Sequence, residues 1–366
     1  MKIKDISAAI EKIVPLKLAQ GWDNVGLLIG NGRQNVDNIL LTIDITKDVV
    51  TEAKKLKADL IISYHPVIWD GLKKITSDDV IYELIRRGIA VFSIHTALDS
   101  VAGGVNDGLA EIVGIENGKP IGDYVDNPAG DNYKLVVFVP VESAAKVSNA
   151  VFAAGAGAIG NYSHCGFGVE GTGSFKPLEG SRPAIGKKGK VEKVKEIRFE
   201  TIVPAEKLNA VITAMKEAHP YEMPAFDIIK LYGEDKFGLG RIGRLVKPVR
   251  LSQIIQRIKR RTGAEVAGIV GNKNRLVKTA AVCAGSCGKI INLVIAAKCD
   301  LYLTGELKHH QALAAQEAGL TCLCLSHTVS ERFILQKFAR QLRKQIEKVT
   351  INVSKKDKDP FEWKNL

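Results

Sequence analysis

Two stretches decide the fold: DLIISYHPVIW at residues 59–69 and AVFSIHTALD at residues 90–99. In each, a short apolar run reads as a strand, and a histidine, His65 or His95, follows close on its carboxyl end. Pro66 restricts His65 to extended backbone, so the first strand has a sharply defined end. Residues 40–43 form another apolar run, after which Thr46 is placed to cap a helical stretch through Lys57. GGVNDGLAEIVG, residues 103–114, predicts a helix ending at Gly114, and the N-terminal MKIKDISAAIEKIVP an amphipathic helix with Ile6, Ile10 and Ile13 on one stripe. This alternation predicts an open α/β sheet, a fold that binds ligands at the carboxyl ends of its strands.

Outward from there, the character changes near residue 126, where VDNPAGDN is turn-rich. Strands are expected at residues 134–141, 195–204 and 225–231, short strands around 162–167 and 173–175, and helices at 143–155 and 205–219. That order, β-α-β-β-α-β, is the ferredoxin-like split unit. The α/β pattern resumes from about residue 247, with a basic amphipathic helix at 251–261, strands at 278–282, 300–303, 321–325 and 349–353, and helices at 289–297, 309–318 and 330–346. The expected organisation is an α/β part at 1–126, an inserted ferredoxin-like α+β domain at 127–232, and the rest of the α/β part at 233–366. A chain of 366 residues exceeds the ~250–300 at which single cores stop growing.

The hydrophobic share of 46% and charged share of 25% are those of an ordinary globular chain. No apolar run reaches the ~18 residues of a membrane span, and the N-terminus has no signal-type apolar core, so the expectation is a cytoplasmic protein without a membrane partner. The six cysteines include no C-x-x-C pair, which argues against a zinc ribbon or a thioredoxin-type site. They read as buried free thiols in a reducing compartment. The net charge of +12 is diluted along the chain. Its densest runs, 187–195, 257–261 and 355–358, lack interleaved aromatics and read as solvated surface rather than a nucleic-acid site. A phosphate-bearing small substrate would suit the positive field.

Chemistry-bearing residues gather at predicted strand ends. In SHTVSE, residues 326–331, His327 and Glu331 are four apart at a helix start, which puts both on one face. Imidazole and carboxylate together are ligands for Zn, Mn or Fe. His95 and Asp99 are expected in a loop past their strand, where an Asp is more often a turn or cap residue. For His65 the competing role is packing. In TGELKHH, residues 304–310, Glu306, His309 and His310 are candidates for supporting metal ligands, against helix capping by Glu306 and surface histidines. In the middle domain His164 and His219 are candidates to approach the site from above, with a structural role equally open. No P-loop, G-x-S-x-G or strand-to-helix G-x-G-x-x-G occurs, so phosphate-cradling, serine-hydrolase and Rossmann readings lack support.

These motifs, in this order, resemble the NIF-three-like family of dinuclear-metal proteins, the GTP cyclohydrolase I type 2 homologues. The resemblance covers the whole chain and rests on WDNVGLLIG (22–30), SYHP (63–66), HTALDSVAGGVND (95–107), TGELKHH, SHTVSE and DPF (359–361). GAGAIGNYSHCGFGVEGTGSFKP (155–177) and AHPYEMPAFDI (218–228) look like the PII/CutA-like insert of longer bacterial members. The resemblance implies two related α/β lobes, a toroidal homohexamer, and one or two divalent metal ions held by His65, Asp99, His327 and a bridging Glu331, with His95 lining the site. Where the family pattern has the first histidine of a pair, this chain has Tyr64. A neutral phenol is a poor ligand unless a metal acidifies it, so the second ion is the open point. The implied activity is metal-assisted hydrolysis of a small molecule such as the nucleotide GTP, with Glu331 and His95 in the chemistry. The alternatives are a non-catalytic metal-binding hexamer with a regulatory or storage role, and nucleic-acid binding.

Overall fold

The computed structural model describes residues 1–125, 132–231 and 237–363. The chain divides into two compact units, residues 1–125 with 235–366, and residues 126–234.

The first unit begins with α1 (Ile3–Ile13), β1 (Gly26–Ile29), β2 (Asn38–Thr42), α2 (Lys47–Lys55), β3 (Leu60–Ser63), α3 (Val80–Arg86), β4 (Ala90–Ser93), α4 (His95–Ser100), α5 (Val105–Val113) and β5 (Ile115–Lys119). Thr46 caps α2, its side chain accepting from the Val49 amide at 3.3 Å. Gly114 ends α5 in the left-handed conformation (φ 94°), which only glycine adopts freely. The second unit runs β6 (Asn132–Pro140), α6 (Ala144–Ala153), β7 (Gly166–Phe175), β8 (Glu192–Pro204), α7 (Leu208–Ala218) and β9 (Phe226–Lys230). The chain then re-enters the first unit as β10 (Arg241–Arg250), α8 (Leu251–Thr262), β11 (Gly268–Val270), β12 (Leu276–Cys283), α9 (Ile291–Ala296), β13 (Leu301–Thr304), α10 (His309–Glu317), β14 (Thr321–Cys324), α11 (Val329–Arg332), α12 (Ile334–Gln345) and β15 (Thr350–Val353).

The first unit holds two sheets, ordered β1-β4-β3-β2-β15 and β11-β14-β13-β12-β10-β5. In the first, β15, β2, β3 and β4 are parallel and β1 closes the edge antiparallel. In the second, β12, β13 and β14 are parallel and the flanking strands are antiparallel. Each sheet takes one strand from the other half of the chain, β15 into the first and β5 into the second, so neither half completes its sheet alone. One shared core unites them: Ile6, Leu41, Phe92, Leu109, Ile254, Val282 and Phe338 belong to a single buried cluster. Alternate residues face away, so Leu40, Ile61 and Val91 pack with α2 and α3, and Ala281, Tyr302 and Cys322 with α9 and α10. All six cysteines are free thiols.

The second unit has the sheet order β7-β8-β6-β9 with antiparallel neighbours, the ferredoxin-like arrangement expected from the pattern. Its core is its own, with Val137, Val139, Val147, Val203, Val211 and Met215 fully buried. The two short strands expected around 162–167 and 173–175 are one ten-residue strand, β7. Its glycines broke the pattern in the sequence, but pairing with β8 holds the whole length extended. Strands β5 and β10 have no counterpart in the sequence reading. Strand β5 is short and mostly polar, β10 is rich in arginine and lysine, and β10 is interrupted by a register shift between Arg244 and Val249.

Candidate functional site

The parallel strands of both sheets end at one place in the first unit. Beyond β3 lie Tyr64 and His65, beyond β4 the helix α4 with His95 and Asp99, and beyond β14 the turn with His327 leading to Glu331 in α11. His65, His327 and Glu331 have ligand atoms within 4.8 Å of one another. The Nε2 atoms of the two histidines face the two carboxylate oxygens of Glu331, His65 at 3.5 Å and His327 at 3.4 Å. The two imidazole centroids are 5.3 Å apart.

Each imidazole is oriented from behind by a carboxylate. His65 Nδ1 pairs with Asp44 Oδ1 at 2.9 Å, and His327 Nδ1 lies 3.5 Å from Glu306 Oε2. Holding Nδ1 fixes the ring and leaves Nε2 free, as in carboxylate–histidine–metal arrangements. Glu331 is buried, and its Oε2 has no hydrogen-bond partner in the protein. An unpaired buried carboxylate oxygen is costly, and this one faces His65 Nε2 while Oε1 faces His327 Nε2. Burial, then the charges of Asp99 and Asp44, push the Glu331 carboxyl well above its ordinary range. Burial and the neighbouring His65 push His327 down, favouring the neutral, ligating form. The loop after β12 makes room for this: a side chain at Gly285 would put its Cβ 2.5 Å from Glu331 Oε1, and the residue has φ 66°. The donor set, two imidazoles and one carboxylate, fits a divalent transition metal.

Asp99 stands apart from that trio. It accepts the Tyr64 hydroxyl, and both side chains are buried. Burial raises the Asp99 carboxyl, and burial with the Asp99 charge raises the Tyr64 phenol, so the pair favours a neutral Tyr. His95 and Asp99 lie in α4 rather than in a loop, because the chain turns helical directly after β4 and buries all six residues of that helix. The four-residue spacing therefore places both on one helical face. His95 Nδ1 pairs with Asp23 Oδ1 at 2.9 Å, and Asp23 Oδ2 accepts from the Thr96 amide at 3.0 Å. Burial alone would raise Asp23, but the His95 bond and charge and the Thr96 bonds outweigh it and hold the carboxyl low. His95 sits 5.2 Å from His65, centroid to centroid.

The remaining candidates lie elsewhere. His309 and His310 are exposed at the start of α10. In the second unit, His164 has φ 60°, pairs with the Ser163 hydroxyl and stacks 4.8 Å from Phe152. His219 is buried with both nitrogens engaged, Nε2 with the Phe138 carbonyl and Nδ1 accepting from the Tyr221 amide, each at 3.0 Å. That leaves His219 no nitrogen for a ligand. Asp23 and Asp44 were missed in the sequence; their signal is a carboxylate in the loop entering or leaving a strand, which has no local signature. The terminal DPF acts through Asp359, which accepts from Ser326 Oγ at 2.6 Å and so anchors the turn carrying His327. Two exposed tryptophans stand over His95, Trp69 at 5.2 Å and Trp22 at 5.9 Å between centroids. Asn24 ties their loops, donating to the Ile68 carbonyl at 2.8 Å.

The sequence profile of the Duf34/NIF3 (NGG1p interacting factor 3) family matches residues 1–360. The chain belongs to this family. Among Duf34/NIF3 relatives, a Mycobacterium tuberculosis protein is 38% identical over 342 residues, covering 90% of this chain and 88% of that one. A Bacillus subtilis protein is 36% identical over 368 residues, covering 98% and 97%. Both carry the name GTP cyclohydrolase 1 type 2 homolog. The crystal structure of a Bacillus cereus protein related to NIF3 superposes with a TM-score of 0.76 at 37% identity over 99% of each chain. That of a Staphylococcus aureus protein gives 0.80 at 27% identity, again over 99% of each. The Duf34/NIF3 fold and the two-lobed α/β architecture with its ferredoxin-like insert are thus shared along the full length.

Proposed function

We propose that His65, His327 and Glu331 hold a divalent metal ion, Zn, Mn or Fe, and that the protein is a metal-dependent hydrolase acting on a nucleotide such as GTP. The observation that carries the metal site is Glu331, whose orphaned Oε2 faces His65 Nε2 and whose Oε1 faces His327 Nε2, with both Nδ1 atoms held by carboxylates. A bound metal would acidify a water toward pKa ~7 and polarise the scissile group. Glu331 would act as ligand and neutralise the ion's charge. Asp99 has one oxygen committed to the Tyr64 hydroxyl, so one ion is the expectation with Tyr64 in place, and a second would draw on the other Asp99 oxygen. His95, its Nδ1 held by Asp23, presents Nε2 as the group that takes or gives a proton. The exposed Trp22 and Trp69 rings offer apolar faces for a planar base, which supports a nucleotide. The names of the curated relatives point the same way.

The protein is expected to work as a cytoplasmic homo-oligomer, the hexamer of the family resemblance; light scattering checks the assembly. Among the described residues no helix is long and apolar enough to cross a membrane. The deciding experiment is metal content of protein purified without chelators, followed by turnover of a nucleotide panel with and without added Mn or Zn. Bound metal with turnover, both lost in Glu331→Ala, supports the reading. Tight metal without turnover favours the non-catalytic alternative, and no metal uptake removes the central claim.

A further inference from the structure

The second unit contains a cavity of about 360 Å³ that the metal site does not use. Its walls are mostly apolar, with Phe138, Phe175, Pro177, Ile185 and Met223 among them. Of its polar lining residues, Ser174, Lys176 and Glu222 are exposed, whereas Glu196 and the Tyr221 hydroxyl are buried. Glu196, on β8, is only 8% exposed and lines the cavity. Its carboxylate occupies the space that a side chain on β7 would take: a Cβ at Gly173 would lie 2.0 Å from Glu196 Oε2. The Tyr221 hydroxyl is buried and, within strict hydrogen-bond geometry, has no partner in the protein. Burial, then a looser bond to the Glu196 carboxylate and that carboxylate's charge, push the phenol above its ordinary value.

Among the described residues no cation is paired with the Glu196 carboxylate, while the acidic side chains paired with cations on the same sheet, such as Glu200 with Lys134 and Arg198, lie at its surface. His219 has both nitrogens committed to backbone groups, and burial holds it toward the neutral form. A buried carboxylate without a cation costs several kcal/mol. That cost is relieved by an occupant that brings N–H donors and positive charge. The Phe138 and Phe175 rings favour the same occupant, since a cation over a ring face and an apolar body against it are both stabilised. The volume lies at the lower end of small-molecule sites, roughly 300–1,000 Å³. An anionic ligand would meet Glu196 at close range and be repelled.

We propose that this cavity is a binding site for a small organic amine, its ammonium held by Glu196 and the Tyr221 hydroxyl and its apolar body by the apolar walls. The site belongs to the ferredoxin-like unit and is independent of the metal-site reading. The test is calorimetric titration of the full chain with phenethylamine, with phenethyl alcohol and phenylacetate as neutral and anionic counterparts of the same shape. The amine is expected to bind at least about tenfold more tightly than either counterpart. Glu196→Gln is expected to lose that preference while unfolding at the same or a higher temperature, because it removes an unbalanced buried charge. Gly173→Ala, whose Cβ displaces the Glu196 carboxylate, and Tyr221→Phe are expected to weaken the amine with the fold intact. No amine binding, equal binding of amine and alcohol, or unchanged amine binding in Glu196→Gln and Tyr221→Phe overturns the assignment.

Discussion

Glu331 carries a cost in the metal-free protein that has a measurable pH signature. Its folded-state carboxyl is raised, as is that of Asp99. Below the unfolded value, about 4, both states hold the proton and the penalty is absent. As pH rises above that value the unfolded chain ionises first, so stability falls until the folded groups also ionise. With chelator present, wild-type protein should therefore melt at lower temperature as pH rises from about 5 to about 8, and Glu331→Gln should flatten that slope. Added Zn or Mn should raise the wild-type melting temperature most at the upper end. Parallel slopes for wild type and variant would count against a strained Glu331. Tyr64 offers a second test at this scale. It donates its hydroxyl to Asp99, so Tyr64→Phe leaves a buried carboxylate without its donor and should cost about 1–3 kcal/mol, read from chemical denaturation. Tyr64→His should instead raise metal content per chain, read by elemental analysis; an unchanged stoichiometry would mean Tyr64 does not limit it.

At the scale of elements, the site depends on how α4, α5 and β10 are tied. Arg241, at the start of β10, is 2% exposed. It makes a bidentate pair with Asp107 of α5, at 2.7 and 3.1 Å, and also donates to the Ser100 and Val101 carbonyls at the end of α4. One side chain thus fixes the helix bearing His95 and Asp99 against the second sheet. Arg241→Met leaves Asp107 with only the Gly103 amide among the described residues, takes a donor from each of those carbonyls, and should destabilise by about 3–5 kcal/mol, seen as a shifted denaturation midpoint. A shift below 1 kcal/mol would mean solvent takes over those bonds. The loop after β12 is equally constrained. Gly285→Ala forces a Cβ against Glu331 Oε1 at a positive φ, and metal affinity should fall at least about tenfold, with a smaller effect on melting.

At the scale of the whole molecule, the ferredoxin-like unit has its own sheet and its own buried cluster. Residues 126–234, expressed alone, should unfold in one cooperative transition. A non-cooperative melt would show that its core needs the α/β unit. The α/β unit behaves differently, because β5 and β15 are exchanged between its sheets. Truncation before β15 leaves β2 as an exposed edge and removes Asp357, which accepts from the Ile43 amide at 2.9 Å.

The sequence by itself determined what local chemistry controls. Apolar runs such as 59–63 and 90–94 set the strands, Thr46 and Gly114 set helix ends, and a histidine or carboxylate following such a run had to emerge near a strand's carboxyl end. The β-α-β-β-α-β order likewise followed from pattern and turns. Tertiary structure alone decided that Asp44 stands behind His65 and Asp23 behind His95, that the candidate Glu306 pairs with His327 in particular, that Tyr64 turns inward to Asp99, and that α4 replaces an expected loop. It also decided that Arg241 lies buried among groups from the other half of the chain. Each of these rests on partners brought together by packing of the two lobes, mostly from distant parts of the chain. Contacts of that kind leave no periodicity and no turn signature in either segment, because their energy depends on burial and pairing that exist only once the lobes have closed on one core.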